Sequence, residues 1–291
     1  MQNALTVDVE DYFHVAAFAR QIDPSTWDRF PLRVERNTHR LLDLFAERGV
    51  RATFFVLGWV AERCPDLVRA IAQQGHEVAC HGYSHQLVYG QTREEFRAET
   101  ARSKACLEDQ ARQPVLGYRA ASYSITKQSL WALDILTELG FSYDSSIFPV
   151  HHDRYGIPGS PRWPYRLEMP NGASIIEFPP STALVGRQSL PVAGGGYFRI
   201  YPYWLTRFGL TRINRAEARP FIFYLHPWEV DPEQPRIRAG WLSTFRHYTN
   251  LGRCEERLRQ LLRDFQFAPV KEVLEQSAIP MLGDSSVLAN A

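Results

Sequence analysis

Through its first half the chain alternates short apolar runs with amphipathic helical segments, and that alternation constrains the fold more than any other feature. Residues 4–9 read as a buried strand. Residues 33–48 read as an amphipathic helix, with Val34, Leu41, Leu42, Leu44 and Phe45 apolar and Gly49 as its stop. A strand at 52–57, a short lead-in and then a helix over 59–74, with Pro65 inside it and Gly75 as the stop, and a strand at 77–80 follow. The pattern repeats with a helix at 93–110, a strand at 115–118, a helix at 127–139 and a strand at 141–143. Strands separated by helices of this length imply parallel βαβ units, so the fold class is α/β. The acidic cluster Asp8-Val9-Glu10-Asp11, His81, Arg119 and Asp144 all fall just beyond the carboxyl ends of predicted strands. In an α/β barrel that edge is where chemistry collects.

Between residues 145 and 202 the texture changes to proline, glycine and aromatics, including Trp163-Pro164, Pro179-Pro180 and Gly194-Gly195-Gly196. A structureless loop of that length is foreign to a compact domain, so short strands or an ordered lid are expected, with the glycine run a hinge candidate. Regular structure returns with a helix at 203–214, an apolar strand at 221–225 that ends at His226, and an amphipathic helix at 251–265. The tail beyond Met281 is expected to be weakly ordered.

With 291 residues, 45% hydrophobic and 22% charged, the chain has room for one large α/β barrel or two smaller domains. A net charge of +1 gives no electrostatic argument for nucleic acid or acidic membranes. Cys64, Cys80, Cys106 and Cys254 are scattered without a CxxC, which suggests buried thiols and neither a thiolate zinc site nor a disulfide framework. No basic-then-apolar leader opens the sequence, and no apolar stretch approaches the roughly 20 residues that span a bilayer. The expectation is a soluble, cytoplasmic protein without a transmembrane segment.

Candidate chemistry centres on His81-Gly82-Tyr83-Ser84-His85. Two imidazoles four residues apart can point the same way, and a carboxylate from another strand would complete a three-ligand metal site with a position open for water. Alone such a pair is weak, because surface helices carry it by chance. Ionised carboxylates at the end of an apolar strand need a cation or a full set of hydrogen bonds; the bland alternative is a solvated strand end with a helix cap. Alternation places Asp8 and Glu10 on one face and Asp11 on the other, so one carboxylate can act as base while its neighbour holds metal. Arg119 could fix a carboxylate by a bidentate pair, or be a packed surface arginine. Asp144 could be a capped turn, and a lone histidine such as His226 ordinarily is a satisfied core residue. Trp163, Tyr165, Tyr197 and Trp228 could stack on sugar rings or belong to the core.

Read in order, Thr6-Val7-Asp8-Val9-Glu10-Asp11, His81-Gly82-Tyr83-Ser84-His85, Arg119-Ala120-Ala121-Ser122-Tyr123, Asp144-Ser145-Ser146 and Tyr224-Leu225-His226-Pro227 resemble the motifs of the polysaccharide deacetylase family, the NodB-homology carbohydrate esterases. The resemblance covers about residues 4–230. More narrowly, Asp8-Val9-Glu10-Asp11-Tyr12-Phe13-His14 and His226-Pro227-Trp228-Glu229 resemble the cytoplasmic-type deacetylases of exopolysaccharide and exosortase loci. Their C-terminal extension would match roughly residues 230–275.

The resemblance implies a distorted (β/α) barrel with fewer than eight regular repeats. It implies a catalytic domain over 1–230, with 231–291 an extension packed on it in the same structural unit. It implies a divalent metal, zinc above all with cobalt or nickel as substitutes, bound by His81, His85 and one carboxylate. Asp8 would be the general base, Arg119 its positioner, His226 the general acid and Asp144 the group that tunes His226. Two departures stand out. The usual adjacent Asp-Asp pair is absent, so facing favours Glu10 as the metal carboxylate with Asp11 the fallback. The arginine motif lacks its customary proline, so the oxyanion N–H belongs to Ser122 or Tyr123. The implied reaction removes N-acetyl groups from an amino sugar of a glycan or glycan-lipid precursor. Residues 145–202, which follow the Asp144 motif and concentrate aromatics including Trp163 and Tyr197, are expected either to form part of the substrate cleft or to be a packed structural insertion, with Trp228 a further substrate-binding candidate. The alternatives are a C–N hydrolase of a small amide and a catalytically silent glycan binder.

Overall fold

The first strand, β1 (Gln2–Val9), is buried along all but its first residue and is paired on both edges. The computed structural model describes residues 1–152, 154–186, 188–284 and 286–289. The further strands are β2 (Thr53–Val56), β3 (Glu77–Cys80), β4 (Gly117–Tyr118), β5 (Tyr143–Asp144), β6 (Tyr165–Glu168), β7 (Ser174–Glu177), β8 (Thr182–Val185), β9 (Gln188–Pro191), β10 (Ile222–Leu225), β11 (Gln266–Ala268) and β12 (Met281–Asp284). The helices are α1 (Val34–Arg48), α2 (Gly58–Arg63), α3 (Pro65–Gln73), α4 (Arg93–Ala111), α5 (Trp131–Glu138), α6 (Gly195–Ile200), α7 (Tyr203–Arg215), α8 (Trp241–Tyr248), α9 (Leu251–Asp264), α10 (Val270–Glu275) and α11 (Ser286–Ala289).

Seven strands pair in parallel in the order β10-β1-β2-β3-β4-β5-β7. β6 adds antiparallel to β7, and β11 takes the β1 edge beside Gln2 to Ala4. Alternation sorts their side chains into two shells. Ala4, Phe55, Ala79, Tyr143 and Ile222, from five strands, meet one another and Val270, Val273 and Leu274 of α10. Leu5, Val7, Phe54, Val78 and Phe223 instead join the larger core beneath the helices. Strands whose alternate residues touch across an interior form a curled sheet, here a distorted (β/α) barrel with fewer than eight regular repeats. α10 plugs its amino-terminal end, where the Val270 N–H donates to Thr53 Oγ1 at 2.7 Å.

The short lead-in and following helix expected over 59–74 are α2 and α3, because Pro65 cannot continue the first but suits the opening turn of the second. Of the tail expected to be weakly ordered, the described part includes β12, paired with β6, and buried Leu288, while Ser285, Asn290 and Ala291 lie outside the described residues. The glycine run, a hinge candidate by sequence, is closely packed at its start. Gly194 (φ 132°) bridges to Tyr224, and a Cβ there would stand 1.9 Å from the Tyr224 carbonyl oxygen. Among the described residues no helix is long and apolar enough to cross a membrane.

Candidate active site

Strand parity aims the site. Asp8 faces inward with Ala4, His81 follows inward Ala79 by two residues, and His226 lies four beyond inward Ile222. They reach one cavity of about 180 Å³ at the carboxyl end of the barrel, lined also by Glu10, His85, Ser122, Tyr123, Tyr155, Tyr224 and Trp228.

Glu10, His81 and His85 offer ligand atoms all within 4.8 Å of one another. His85 Nε2 stands 2.8 Å from Glu10 Oε2. His81 Nδ1 is 2.8 Å from the Arg119 carbonyl, which can only accept, so the proton sits on Nδ1 and Nε2 keeps its lone pair. Burial lowers the His81 pKa to about 4, which keeps the ring neutral as a ligand must be. Burial alone would raise Glu10, but the His85 charge and hydrogen bond outweigh it and hold the carboxyl far below its usual range. A buried carboxylate oxygen 2.8 Å from the His85 ring nitrogen and grouped with the His81 imidazole is the donor set a divalent cation requires.

Asp11, the fallback ligand, is occupied elsewhere. Its Oδ1 accepts the Tyr12 N–H at 2.9 Å and its Oδ2 accepts the N–H groups of Arg33 (2.6 Å) and Val34 (2.8 Å), capping the start of α1. The sequence motif closes on His14, whose Nδ1 accepts the Asp11 N–H at 2.8 Å. Its ring is caged by Trp27 and Trp59, and burial lowers its pKa to about 3.

Arg119, 1% exposed, lies over the Phe55 ring and donates to Asp8 Oδ1 (2.6 Å), Thr6 Oγ1 (2.8 Å), and both the carbonyl and hydroxyl of Ser145. One Asp8 oxygen is thereby fixed, and the other stands 3.8 Å from His226 Nε2. Ser122 (φ 50°) and Tyr123 (φ 55°) both take left-handed backbone conformations, a strain that clusters at functional sites. The Tyr123 N–H is spent on the Ala120 carbonyl at 3.1 Å.

The carboxylate beside His226 is Glu229 and not Asp144. His226 Nδ1 lies 3.1 Å from Glu229 Oε2, which also accepts the His226 backbone N–H at 3.0 Å. Glu229 Oε1 accepts from Arg199 Nε at 2.6 Å, and Arg199 donates onward to the carbonyls of Arg246, His247 and Thr249. Burial disfavours the charged imidazole, yet the Glu229 bond and the charges of Glu10, Glu229 and Asp8 outweigh it and lift the pKa to about 9. Asp144 is misplaced for that task because it follows inward Tyr143, and β5 lies four strands from β1 and five from β10. Its register partner is Glu177. Burial raises the Asp144 carboxyl to about 6 and Glu177 well above its usual range. Asp144 instead accepts the Ser146 hydroxyl at 2.6 Å, and Ser146 Oγ accepts the Ala120 N–H, pinning the Arg119 loop.

The expected sugar-stacking aromatics are otherwise employed. Trp228 is sandwiched between His226 (5.0 Å, 19°) and His247 (4.2 Å, 18°), and its Nε1–H donates to Glu10 Oε1 at 3.1 Å. Trp163 lies between the guanidinium groups of Arg162 and Arg219. Its neighbour Pro164 and Arg219 line a different cavity with Met1 and Gln2, at the amino-terminal end of the barrel. Tyr197, on α6, packs against Tyr201 and does not line the active cavity. Tyr155 and Tyr224 line it instead. Sequence reasoning missed Glu229, Arg199 and Tyr155 as site residues. The signal for Glu229 was its place three residues after His226, the capping-box spacing; Arg199 and Tyr155 lie in the 145–202 segment expected at the cleft, but nothing in the sequence singled them out within it.

Residues 24–143 match the family described as polysaccharide deacetylase, and residues 145–275 match a domain of unknown function, DUF3473. A chitooligosaccharide deacetylase of Rhizobium leguminosarum bv. trifolii is 32% identical over 114 residues, 39% of this chain and 49% of the relative. A peptidoglycan-N-acetylglucosamine deacetylase of Bacillus cereus is 36% identical over 70 residues, 24% of this chain and 26% of the relative. The chain thus spans half or less of the length of these curated relatives. A solved structure from Mycobacterium smegmatis, provisionally named a polysaccharide deacetylase, shares the fold with TM-score 0.60 and 23% identity, over 94% of this chain and 88% of that one.

Proposed function

The chain belongs to the polysaccharide deacetylase, or NodB-homology, family, and on that premise we propose that it is a metal-dependent hydrolase that removes N-acetyl groups from an amino sugar of a glycan. The observation that carries this reading is the meeting, in one cavity, of a three-ligand cluster, an arginine-clamped carboxylate and a histidine held by a second carboxylate. Glu10, His81 and His85 would hold the ion, and two imidazoles with one carboxylate suit zinc, with cobalt or nickel as substitutes. When bound, such an ion polarises an amide carbonyl and acidifies water.

The chain's own residues do the rest. Asp8 has one oxygen fixed by Arg119, so its second oxygen is aimed into the cavity to take a proton from water. The Ser122 N–H is the oxyanion donor left after Tyr123 bonds back to Ala120. His226, its Nδ1 proton held by Glu229, presents a second proton on Nε2 to the departing amine. The C–N bond breaks, and acetate and a free amino sugar leave. Tyr155, its ring stacked on His152, and Tyr224 line the cavity wall that a sugar ring would meet. The relatives named for chitooligosaccharide and peptidoglycan point to N-acetylglucosamine-type sugars, here in a glycan or glycan-lipid precursor of polysaccharide synthesis.

The test is acetate release from N-acetylated oligosaccharides and from small amides, together with metal analysis of the purified protein. Acetate from the oligosaccharides and close to one equivalent of ion are expected. Hydrolysis confined to small amides would leave the chemistry and sink the substrate; an inactive, metal-free protein would make it a silent binder.

A further inference from the structure

The net charge of +1 conceals a segregation. From residue 178 to 254 there are ten arginines and only four carboxylates, Glu217, Glu229, Asp231 and Glu233, so the rest of the chain is acidic. Three of the four are already neutralised: Glu217 by Arg162, Glu229 by Arg199 and Asp231 by Arg33. Between Glu233 and Glu255 there is no carboxylate at all.

The same stretch carries an apolar surface. Trp241, Leu242 and Phe245 of α8 are 80%, 42% and 49% exposed, and their spacing sets them together on the helix. Arg236, Arg238 and Arg246, all exposed, flank them. The carboxyl end of α8 reaches the active site: Arg199 binds the carbonyls of Arg246 and His247 as well as Glu229, and the His247 ring stacks on Trp228 of the cavity wall.

We propose that this α8 face docks the protein on an anionic membrane surface. Tryptophan, phenylalanine and leucine seat at the headgroup boundary while the arginines pair with anionic lipid. Charge complementarity selects this occupant. A second copy would bring its own arginines against these, and an acidic glycan would satisfy the arginines while leaving Leu242 and Phe245 in water. α8 is joined to the cavity wall through Arg199 and His247, so an acetylated sugar on a lipid carrier is the form of substrate that such docking would serve.

The test is co-sedimentation of the full chain with vesicles of phosphatidylcholine mixed with phosphatidylglycerol, and with phosphatidylcholine alone. Binding to the mixed vesicles, weakened by salt, is expected. Each basic side chain near such a surface contributes about five-fold, so Arg238→Glu should weaken binding about 25-fold. The exposed double variant Trp241→Ala with Phe245→Ala should weaken it at least about ten-fold. The corresponding pair on α7, Trp204→Ala with Phe208→Ala, should retain it. No binding to mixed vesicles, equal binding to neutral ones, loss through the α7 pair and not the α8 pair, or a dimer dissolved by Trp241→Ala would each overturn the proposal. All these variants should deacetylate a soluble oligosaccharide like the parent. Vesicle binding by a protein that releases no acetate would count against the proposed reaction and leave the docking face standing.

Discussion

Glu10, His81 and His85 come from the ends of β1 and β3, strands separated only by β2, and the two histidines belong to one pentapeptide. His226, across the same cavity, depends on Glu229, on Arg199 from α6, and on carbonyls at the end of α8. The metal side is therefore built from short motifs that a strand end displays, while the acid side is built from a buried relay that crosses nearly fifty residues of sequence. A local motif survives reading one residue at a time. A relay exists only when its members are folded against each other, and each must be satisfied because burial leaves no water to replace a lost partner.

The comparison is tested hardest at the metal side. His81→Ala should lose the bound ion, by elemental analysis, and acetate release should fall to the blank; full metal occupancy in that variant would break the ligand set. Asp8→Asn should keep its metal while kcat drops by about 100-fold or more, the usual loss on removing a general base. Metal loss in that variant would merge base and ligand into one group.

Effects on the acid side should be smaller and should appear in the pH profile. Glu229 favours the charged imidazole, and a general acid must hold its proton, so activity fails as pH rises through the His226 pKa. Glu229→Gln removes that anion, lowers the pKa, and should move the alkaline limb to lower pH with kcat reduced about ten-fold. Asp144→Asn should leave the limb in place. A limb that moves with Asp144 and not with Glu229 would reverse the assignment. Trp228→Phe deletes the donor to Glu10 and should weaken metal affinity by about ten-fold, measured by competition with a chelator. The smallest effect is expected at the substrate surface: Tyr155→Ala should raise KM for a chitooligosaccharide about five-fold, while Trp163→Ala should leave it unchanged.

Much of the barrel was legible because period-two burial and helical spacing are local properties. Residues 77–80 and the start of α4 at Arg93 stand where the pattern put them. The shared face of Asp8 and Glu10 was legible for the same reason, since alternation along one strand needs no partner. Asp144 shows where this fails. It was expected just beyond a strand but is the last residue of β5, whose inward residue is Tyr143, and its neighbour across the sheet is Glu177, contributed from thirty-three residues away. Trp163 and Trp228 show the same limit for aromatics, since composition cannot tell a ring open to a sugar from one held between arginines or between histidines.

The sequence by itself determined the α/β class, the strand ends where chemistry collects and the side-chain types on offer, because these depend on period and order along the chain. Tertiary structure decided which carboxylates serve which partner. Asp11 caps a helix, Glu10 turns toward His85, Asp144 lies beside Glu177 in the sheet and accepts the Ser146 hydroxyl, and Glu229 holds His226. The physical reason is that a buried charge takes its role from the donors and charges around it, and those arrive from distant segments only when the sheet curls.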